Sequence, residues 1–227
     1  LLKKSKLRNN EYYGTQEMLD KLYERGKKGH KFKNLKSLIT SRKNILLAYR
    51  TIKSNSGSRT SGVNNTTIED IAKWETDELV EYVRNRLKYY IPQPVKRVYI
   101  PKPDGRKRPL GIPTIEDRII QQSIKQILEP ICESKFHNHS YGFRPNRSTK
   151  HAIARSMHLI NISGLHFTVD VDIAGFFDNV DHGKLLKQLW SMGIQDKSLL
   201  SILSSLLKAE IKGKGIPEKG TPQGGII

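Results

Sequence analysis

The sequence is poor in cysteine, in acidic residues and in long apolar runs. Its single cysteine, Cys132, excludes an intrachain disulfide, and after "QILEPI" it reads as a small, partly buried residue. No apolar run approaches the roughly 20 residues that span a bilayer, which excludes a membrane-crossing helix, and no membrane partner is expected. The opening "LLKKSKLRNN" has no signal-peptide hydrophobic region. An intracellular location is expected: the cytoplasm of a bacterium, with an organelle as the other compartment open to it. Acids number 22 against 40 Lys and Arg, a formal charge of +18 over 227 residues. That imbalance suits a polyanion, and nucleic acid fits it better than an acidic membrane or mere solubility. Hydrophobic residues make up 36%, enough for a core in one large domain or two closely joined subdomains.

What is present falls into segments with no internal repeat. Residues 1–50 hold 14 Lys/Arg against 4 Asp/Glu. "TQEMLDKLYERGKKG" predicts a short helix ending near Gly26 or Gly29, and "LKSLITSRKNILLAYRTIK" a longer one. "SNSGSRTSGVNN" is a loop with little reason to order alone. "TTIEDIAKWETDELVEYVRNRLKYYI" predicts one helix capped by Thr66 or Thr67, with Ile71, Trp74, Leu79, Val83 and Leu87 at helical spacing. Pro92 and Pro94 end it. A hairpin follows, with strands Val95–Ile100 and Lys107–Ile112 about the turn Pro103-Asp104-Gly105. It carries Lys96, Arg97, Lys102, Arg106, Lys107 and Arg108 against Asp104 alone. Thr114 then caps a helix with the stripe Ile115, Ile119, Ile124, Ile127 and Leu128, stopped by Pro130. After "YGFRPNRS" come a helix from Thr149 to about Ile160, a strand "HFTVDVDI", and helices near 182–192 and 196–208. The order predicts an α+β fold.

The strand carries the chemistry. Alternation puts Phe167, Val169, Val171 and Ile173 on one face and Thr168, Asp170 and Asp172 on the other, with the two carboxylates about 7 Å apart. Hard divalent cations take such oxygens, and Mg²⁺ typically uses one or two carboxylates plus phosphate oxygens. For a lone Asp-x-Asp, pairing with a nearby Lys or Arg is the commoner outcome. Here "GFFDNVDH" leaves the strand through two aromatics into a helix start, where Asp178 and Asp181 read as caps. A phosphatase of the haloacid dehalogenase type also uses Asp-x-Asp, but Ala174 and the pair's depth in the chain disagree with it. His137 and His139 form a His-x-His pair near Cys132 without further zinc-type ligands, so ordinary surface histidines account for them.

Four stretches in order, "YIPKPDGRKRPLGIPTIEDRIIQQSIKQILEPI", "HSYGFRPNRSTKHAI", "VDVDIAGFFDNVDH" and "GTPQGGII", resemble group II intron-encoded reverse transcriptases, also called maturases. Upstream, "NILLAYRTIKSNSGSRTSGVNNTTIED" looks like the N-terminal block that sets these enzymes apart from retroviral ones. The resemblance covers roughly residues 35–227. It implies a right-hand polymerase: a fingers subdomain of helices plus the β-hairpin over 1–164, and the beginning of the palm over 165–227, cut within or just after Gly-Thr-Pro-Gln-Gly-Gly. It implies DNA synthesis on an RNA template by two Mg²⁺ ions, with group II intron RNA, RNA template, DNA primer and dNTP as partners. Asp172 matches the first metal-binding palm aspartate and catalytic residue, with the Ile173 carbonyl as a weaker ligand; Asp170 has no assigned role. Phe177, or Phe176 if the turn shifts by one, matches the aromatic that excludes a ribose 2′-hydroxyl, and core packing is expected of one of the two. Lys102 and Arg108 match contacts to the incoming triphosphate, and Gln223 a residue near the nascent base pair. Gly224 and Gly225 let backbone approach nucleic acid closely. Arg144 fits either a template contact or a structural ion pair. The family often has Asp where this chain has Asn64, and a turn accepts either.

Such polymerases complete the metal site with an aromatic-x-Asp-Asp element, and none follows Asp172 in these 227 residues. Since an apolar segment is starting at "GGII", the chain is expected to continue in a longer parent that polymerises, while this portion binds RNA without doing so. The other reading is a non-catalytic intron RNA-binding splicing factor. A homodimer is one assembly open to it.

Overall fold

The computed structural model describes residues 8–101, 105, 107–221 and 224–226. In chain order the helices are α1 (Asn9–Tyr12), α2 (Gln16–Lys27), α3 (Lys36–Ile39), α4 (Arg42–Lys53), α5 (Ile68–Ile71) and α6 (Thr76–Arg86). The antiparallel pair β1 (Lys96–Pro101) and β2 (Lys107–Ile112) comes next, then α7 (Ile115–Glu133), α8 (Thr149–Asn161), α9 (His182–Ser191) and α10 (Lys197–Leu207). Register pairs Lys96 with Ile112 and Pro101 with Lys107, so the expected hairpin forms with its first strand one residue later than Val95–Ile100. The expected turn residues Pro103 and Asp104 lie outside the described residues.

Helix α7 is the axis of the molecule. The expected stripe Ile115, Ile119, Ile124, Ile127 and Leu128 is buried, joined by Ile120 and Ile131. α2 and α4 pack along it, and one apolar core runs from Leu22 through these isoleucines to Leu203. Thr114 caps α7 as expected, its hydroxyl accepting from the Asp117 amide at 3.3 Å. Pro130 does not stop the helix, which runs to Glu133. The proline forfeits one backbone bond, but Ile131 is fully buried just beyond it. Gly26 of α2 makes room there, since a β-carbon on it would lie 2.5 Å from Ser134 Oγ.

Two predicted long helices are each broken. Residues 35–53 split at Thr40–Ser41, where Ser41 is extended (ψ 140°). Buried Asn44 holds the break: its Nδ2 donates to the Ile39 carbonyl at 3.0 Å and to the Ser123 carbonyl of α7 at 2.9 Å. Gln126 Nε2 donates back to Asn44 Oδ1 at 2.6 Å. Residues 66–91 split before Thr76 at extended Glu75, and Asp77 and Glu78 occupy the new first turn, where the helix dipole favours carboxylates. The preceding short helix starts on Thr67, whose amide and hydroxyl donate to Asp70 at 3.0 and 2.9 Å. Those bonds and Lys73 hold the Asp70 carboxyl down at about 2.

The predicted strand "HFTVDVDI" is not a strand. Among the described residues no ladder pairs with 166–173, and Phe167, Val169, Val171 and Ile173 are all exposed. An isolated strand has neither hydrogen-bond partners nor a covered face to stabilise it. The 54–65 loop, in contrast, is held. Arg118 Nη1 donates to the Gly57 carbonyl at 3.0 Å and its Nε to the Pro113 carbonyl at 3.0 Å. Gly62 approaches Thr114 so closely that a β-carbon would lie 2.7 Å from its Cα.

A buried carboxylate ties the start of α3 to the start of α10. Asp196 caps α10 through the amides of Ser198 (3.0 Å) and Leu199 (3.1 Å), while its other oxygen accepts from the amides of Leu35 (2.7 Å) and Lys36 (3.0 Å). Phe32 forms a parallel bridge with Ile194 beside it. Burial alone would raise the Asp196 carboxyl, but the Ser198 hydroxyl and the amides of Lys36, Leu199 and Leu35 outweigh it and bring it below its ordinary value. Its contribution is therefore complete above the unfolded aspartate value of about 3.9 and is lost as pH falls through the lowered folded value. Asp196→Ala is expected to destabilise the fold by about 2–4 kcal/mol, a lost cap plus stranded amides. Urea unfolding at neutral pH measures this, and the gap to wild type should close at acid pH.

Candidate functional site

The hairpin is rooted at both ends on one carboxylate. Asp117 in the first turn of α7 accepts from the Gln93 amide at 2.7 Å, just before β1, and from Arg86 (3.0 Å) and Tyr90 Oη (2.9 Å). The Arg86 guanidinium also lies over the rings of Tyr82 and Tyr90, each 5.7 Å from its centroid. Burial pushes the Asp117 carboxyl up, opposed by the Gln93 amide, Arg86 and Tyr90. A second grip comes from the loop after α10: Val95 donates to the Glu210 carbonyl at 2.7 Å and accepts from the Lys212 amide at 3.0 Å. The Lys214 ammonium sits 5.5 Å from the Tyr99 ring and lowers the phenol's pKa.

The turn after Asp172 is built by Gly175, left-handed at φ 59°, which opens a short 3₁₀ turn over Phe176–Asn179. Asp181 caps α9, accepting from the Lys184 amide at 2.6 Å, as expected. Asp178 caps nothing and lies inside the 3₁₀ turn, because α9 starts only at His182. A C-terminal strap lies across this turn. The Gly220 amide donates to the Val180 carbonyl and the Thr221 amide to the Phe177 carbonyl, both at 2.8 Å. Buried His182 contacts the Gly220 carbonyl through Nε2 at 2.7 Å, and Lys219 Nζ donates to Asn179 Oδ1 at 2.8 Å. Further along, Gly224 (φ 108°) crosses the hairpin so closely that a β-carbon would lie 2.7 Å from the Gly111 carbonyl oxygen. Ile226 donates to Gln121 of α7 at 3.1 Å. One strap thus touches the Phe177 turn, β2 and α7.

The expected site residues fall as follows. Phe177 and Phe176 are both exposed and pack edge to face, centroids 5.5 Å apart, so neither is a core residue. Asp170, Asp172 and Ile173 are exposed just before that turn. Arg108 is exposed on β2 opposite Ile100. Lys102 and Gln223 lie outside the described residues. Gly224 makes its close approach to Gly111 of the hairpin and not to an open face. Arg144 is a buried structural ion pair: Nε and Nη2 clasp Glu133 at 2.6–3.1 Å, and Nη1 donates to the His137 and Ser140 carbonyls. Asn64 Nδ2 donates to buried Glu116 at 2.8 Å, so an aspartate there would oppose a carboxylate. Asn44, Asp117, Asp196 and His182, which position the parts, went unsingled in the sequence, because a polar residue's burial is not visible in local pattern.

For a metal, Asp172 offers a hard oxygen donor, exposed and in no ion pair among the described residues. Among the described residues, no group of three or more His, Cys, Asp or Glu gathers there to hold an ion. One carboxylate and a backbone carbonyl fit Mg²⁺ in kind, as a partial set that phosphate oxygens and further ligands would complete.

The reverse transcriptase (RNA-dependent DNA polymerase) family pattern matches residues 100–227, from the hairpin through the strap. The chain belongs to this family. Group II intron-encoded protein LtrA of Lactococcus lactis subsp. cremoris is 36% identical over 185 residues, 80% of this chain and 30% of LtrA. Protein YkfC of Escherichia coli K12 is 36% identical over 206 residues, covering 87% and 53% of the two chains. This reverse transcriptase chain thus spans about a third to a half of the length of these relatives. A solved chain from a partial Cas6-RT-Cas1–Cas2 complex aligns with a TM-score of 0.50 at 21% identity, over 82% of this chain and 31% of its own, and shows the fold alone. Mixed helix with a small antiparallel sheet is the architecture expected. Among the described residues, no helix is long and apolar enough to cross a membrane.

The strap gives a direct test. Gly220 is left-handed (φ 84°), and a β-carbon there would lie 2.9 Å from the Asp178 carbonyl oxygen. Gly220→Ala is expected to cost about 1–2 kcal/mol and to release the strap, seen as faster proteolysis after Glu218 with the rest of the chain intact.

Proposed function

We propose that this chain is the fingers and first palm part of an RNA-directed DNA polymerase that copies group II intron RNA and assists its splicing. The observation that carries this reading is the strap that joins the Phe177 turn, the basic hairpin and α7, bringing three of the four family stretches into contact. In this reading residues 1–164 form the fingers and 165–227 begin the palm, in a cytoplasmic enzyme with RNA template, DNA primer and dNTP as partners.

The roles follow from the chemistry of each side chain. Lys102 and Arg108 meet the incoming triphosphate; the planar guanidinium of Arg108 suits two phosphate oxygens at once. Phe177, half-exposed and anchored through its carbonyl by Thr221, presents a ring edge where a ribose 2′-oxygen would collide. Gln223 lies near the nascent base pair. Asp172, with the Ile173 carbonyl, holds Mg²⁺; when bound, paired Mg²⁺ ions orient the attacking 3′-hydroxyl and stabilise the leaving pyrophosphate. The Lys/Arg-rich first 50 residues and the +18 charge hold the RNA.

The 227-residue chain is expected to bind single-stranded RNA with log K falling against log salt by about 0.7 per phosphate neutralised. Asp172→Ala should leave that binding intact, with or without Mg²⁺. The chain alone should incorporate no dNTP, while the parent should incorporate it and lose this with Asp172→Ala. Templated incorporation by the chain alone would refute the division of labour. A parent inactive before any mutation would favour the splicing-factor reading.

A further inference from the structure

From Ser134 to Val169 the sequence has no acidic residue, yet it carries Lys135, Arg144, Arg147, Lys150 and Arg155. Arg144 is consumed by Glu133; the other four form no ion pair among the described residues. In the middle of this basic stretch Phe143 stands wholly exposed, with a left-handed backbone at φ 54°. A bulky residue in that region is an outlier. Such a conformation persists only where its surroundings over-determine it. They do so here. Arg144, the next residue, is fastened by Glu133 and by the carbonyls of His137 and Ser140, with its guanidinium 5.5 Å from the Phe136 ring centroid. Arg147 donates to the Asn138 carbonyl at 3.1 Å and lies over the Tyr141 ring. The loop is thus fixed from below, while its most apolar ring is left in water. Glycine would take this backbone without strain, and the Phe143 ring is covered by nothing among the described residues.

We propose that Phe143 is a stacking platform for an unpaired base of a single-stranded nucleic acid, with Lys135, Arg147 and Lys150 receiving the flanking phosphates. The charge selects the occupant: every unpaired charge along this loop and the start of α8 is positive, matching a phosphate backbone. An open aromatic face matches a base, and stacking of this kind tolerates any sequence. In a duplex the bases are stacked on each other, so the platform reads unpaired strand only. The proposal rests on the RNA-binding reading above and adds to it a site outside the motifs assigned to the triphosphate, the metal and the ribose.

The test uses the chain with a labelled RNA strand of about 12 nucleotides and the matching duplex. Phe143→Gly and Phe143→Ala should weaken strand binding by about 5- to 100-fold, with Phe143→Tyr close to wild type. The salt dependence should be unchanged in Phe143→Gly, while Arg147→Ala and Lys150→Ala should each shallow the slope by about 0.7. Duplex binding should not respond to Phe143→Gly, and that variant should melt no lower than wild type. Unchanged strand binding in Phe143→Gly overturns the platform while leaving RNA binding standing. An equal loss on duplex, or a lowered melting temperature, overturns it as well. If wild type binds no strand at low salt, the RNA-binding reading fails and the platform fails with it.

Discussion

The carboxylate of Asp117 is the constraint on which the geometry of the hairpin depends. It lies five residues beyond the last residue of β2 and accepts the amide of Gln93, three residues before β1. Both legs of the hairpin are therefore tied to one oxygen pair in the first turn of α7. The same group draws in Arg86 and Tyr90, and with them the end of α6. A buried carboxylate is costly unless its lone pairs are filled. Here an amide, a guanidinium and a phenol fill them, and filling them fixes where a basic ribbon projects from a helical body.

From that root the other parts take their places. β2 offers Gly111 to the strap, and the strap carries on to α7 in one direction and to the Phe177 turn in the other. Two glycines, Gly220 and Gly224, permit backbone to lie on backbone at those crossings. The aromatic turn is thus positioned from the far end of the chain, through Gly220 and Thr221, and not by the segment 166–173 that leads into it.

What the sequence disclosed and what it hid divide along physical lines. The isoleucine stripe of α7, the hairpin and the caps Thr114 and Asp181 were legible because each is encoded within a few residues. The breaks at Ser41 and Glu75 were not, since the first depends on Asn44 reaching Ser123 across the core. Pro130 misled in the other direction: a local rule ends the helix there, and burial of Ile131 against α2 carries it on. The alternation in "HFTVDVDI" is a strand signal, yet a strand exists only with a neighbour, and none lies beside it among the described residues. In the site, the family motifs pointed to Phe177 and Asp172, whereas His182, which holds the strap beside the Phe177 turn, and Asp117, which roots the hairpin, carry no local signature.

The clasp of Asp196 on Leu35 and Lys36 spans some 160 positions of the chain. At about 5–20 residues per second of synthesis, the amides of Leu35 and Lys36 are made roughly ten to thirty seconds before their acceptor exists. For that interval the start of α3 lacks the acceptor that holds it in the folded chain. The carboxylate that joins α3 to α10 is thus among the last elements supplied, and the contact between these two helices cannot close until most of these 227 residues have been made.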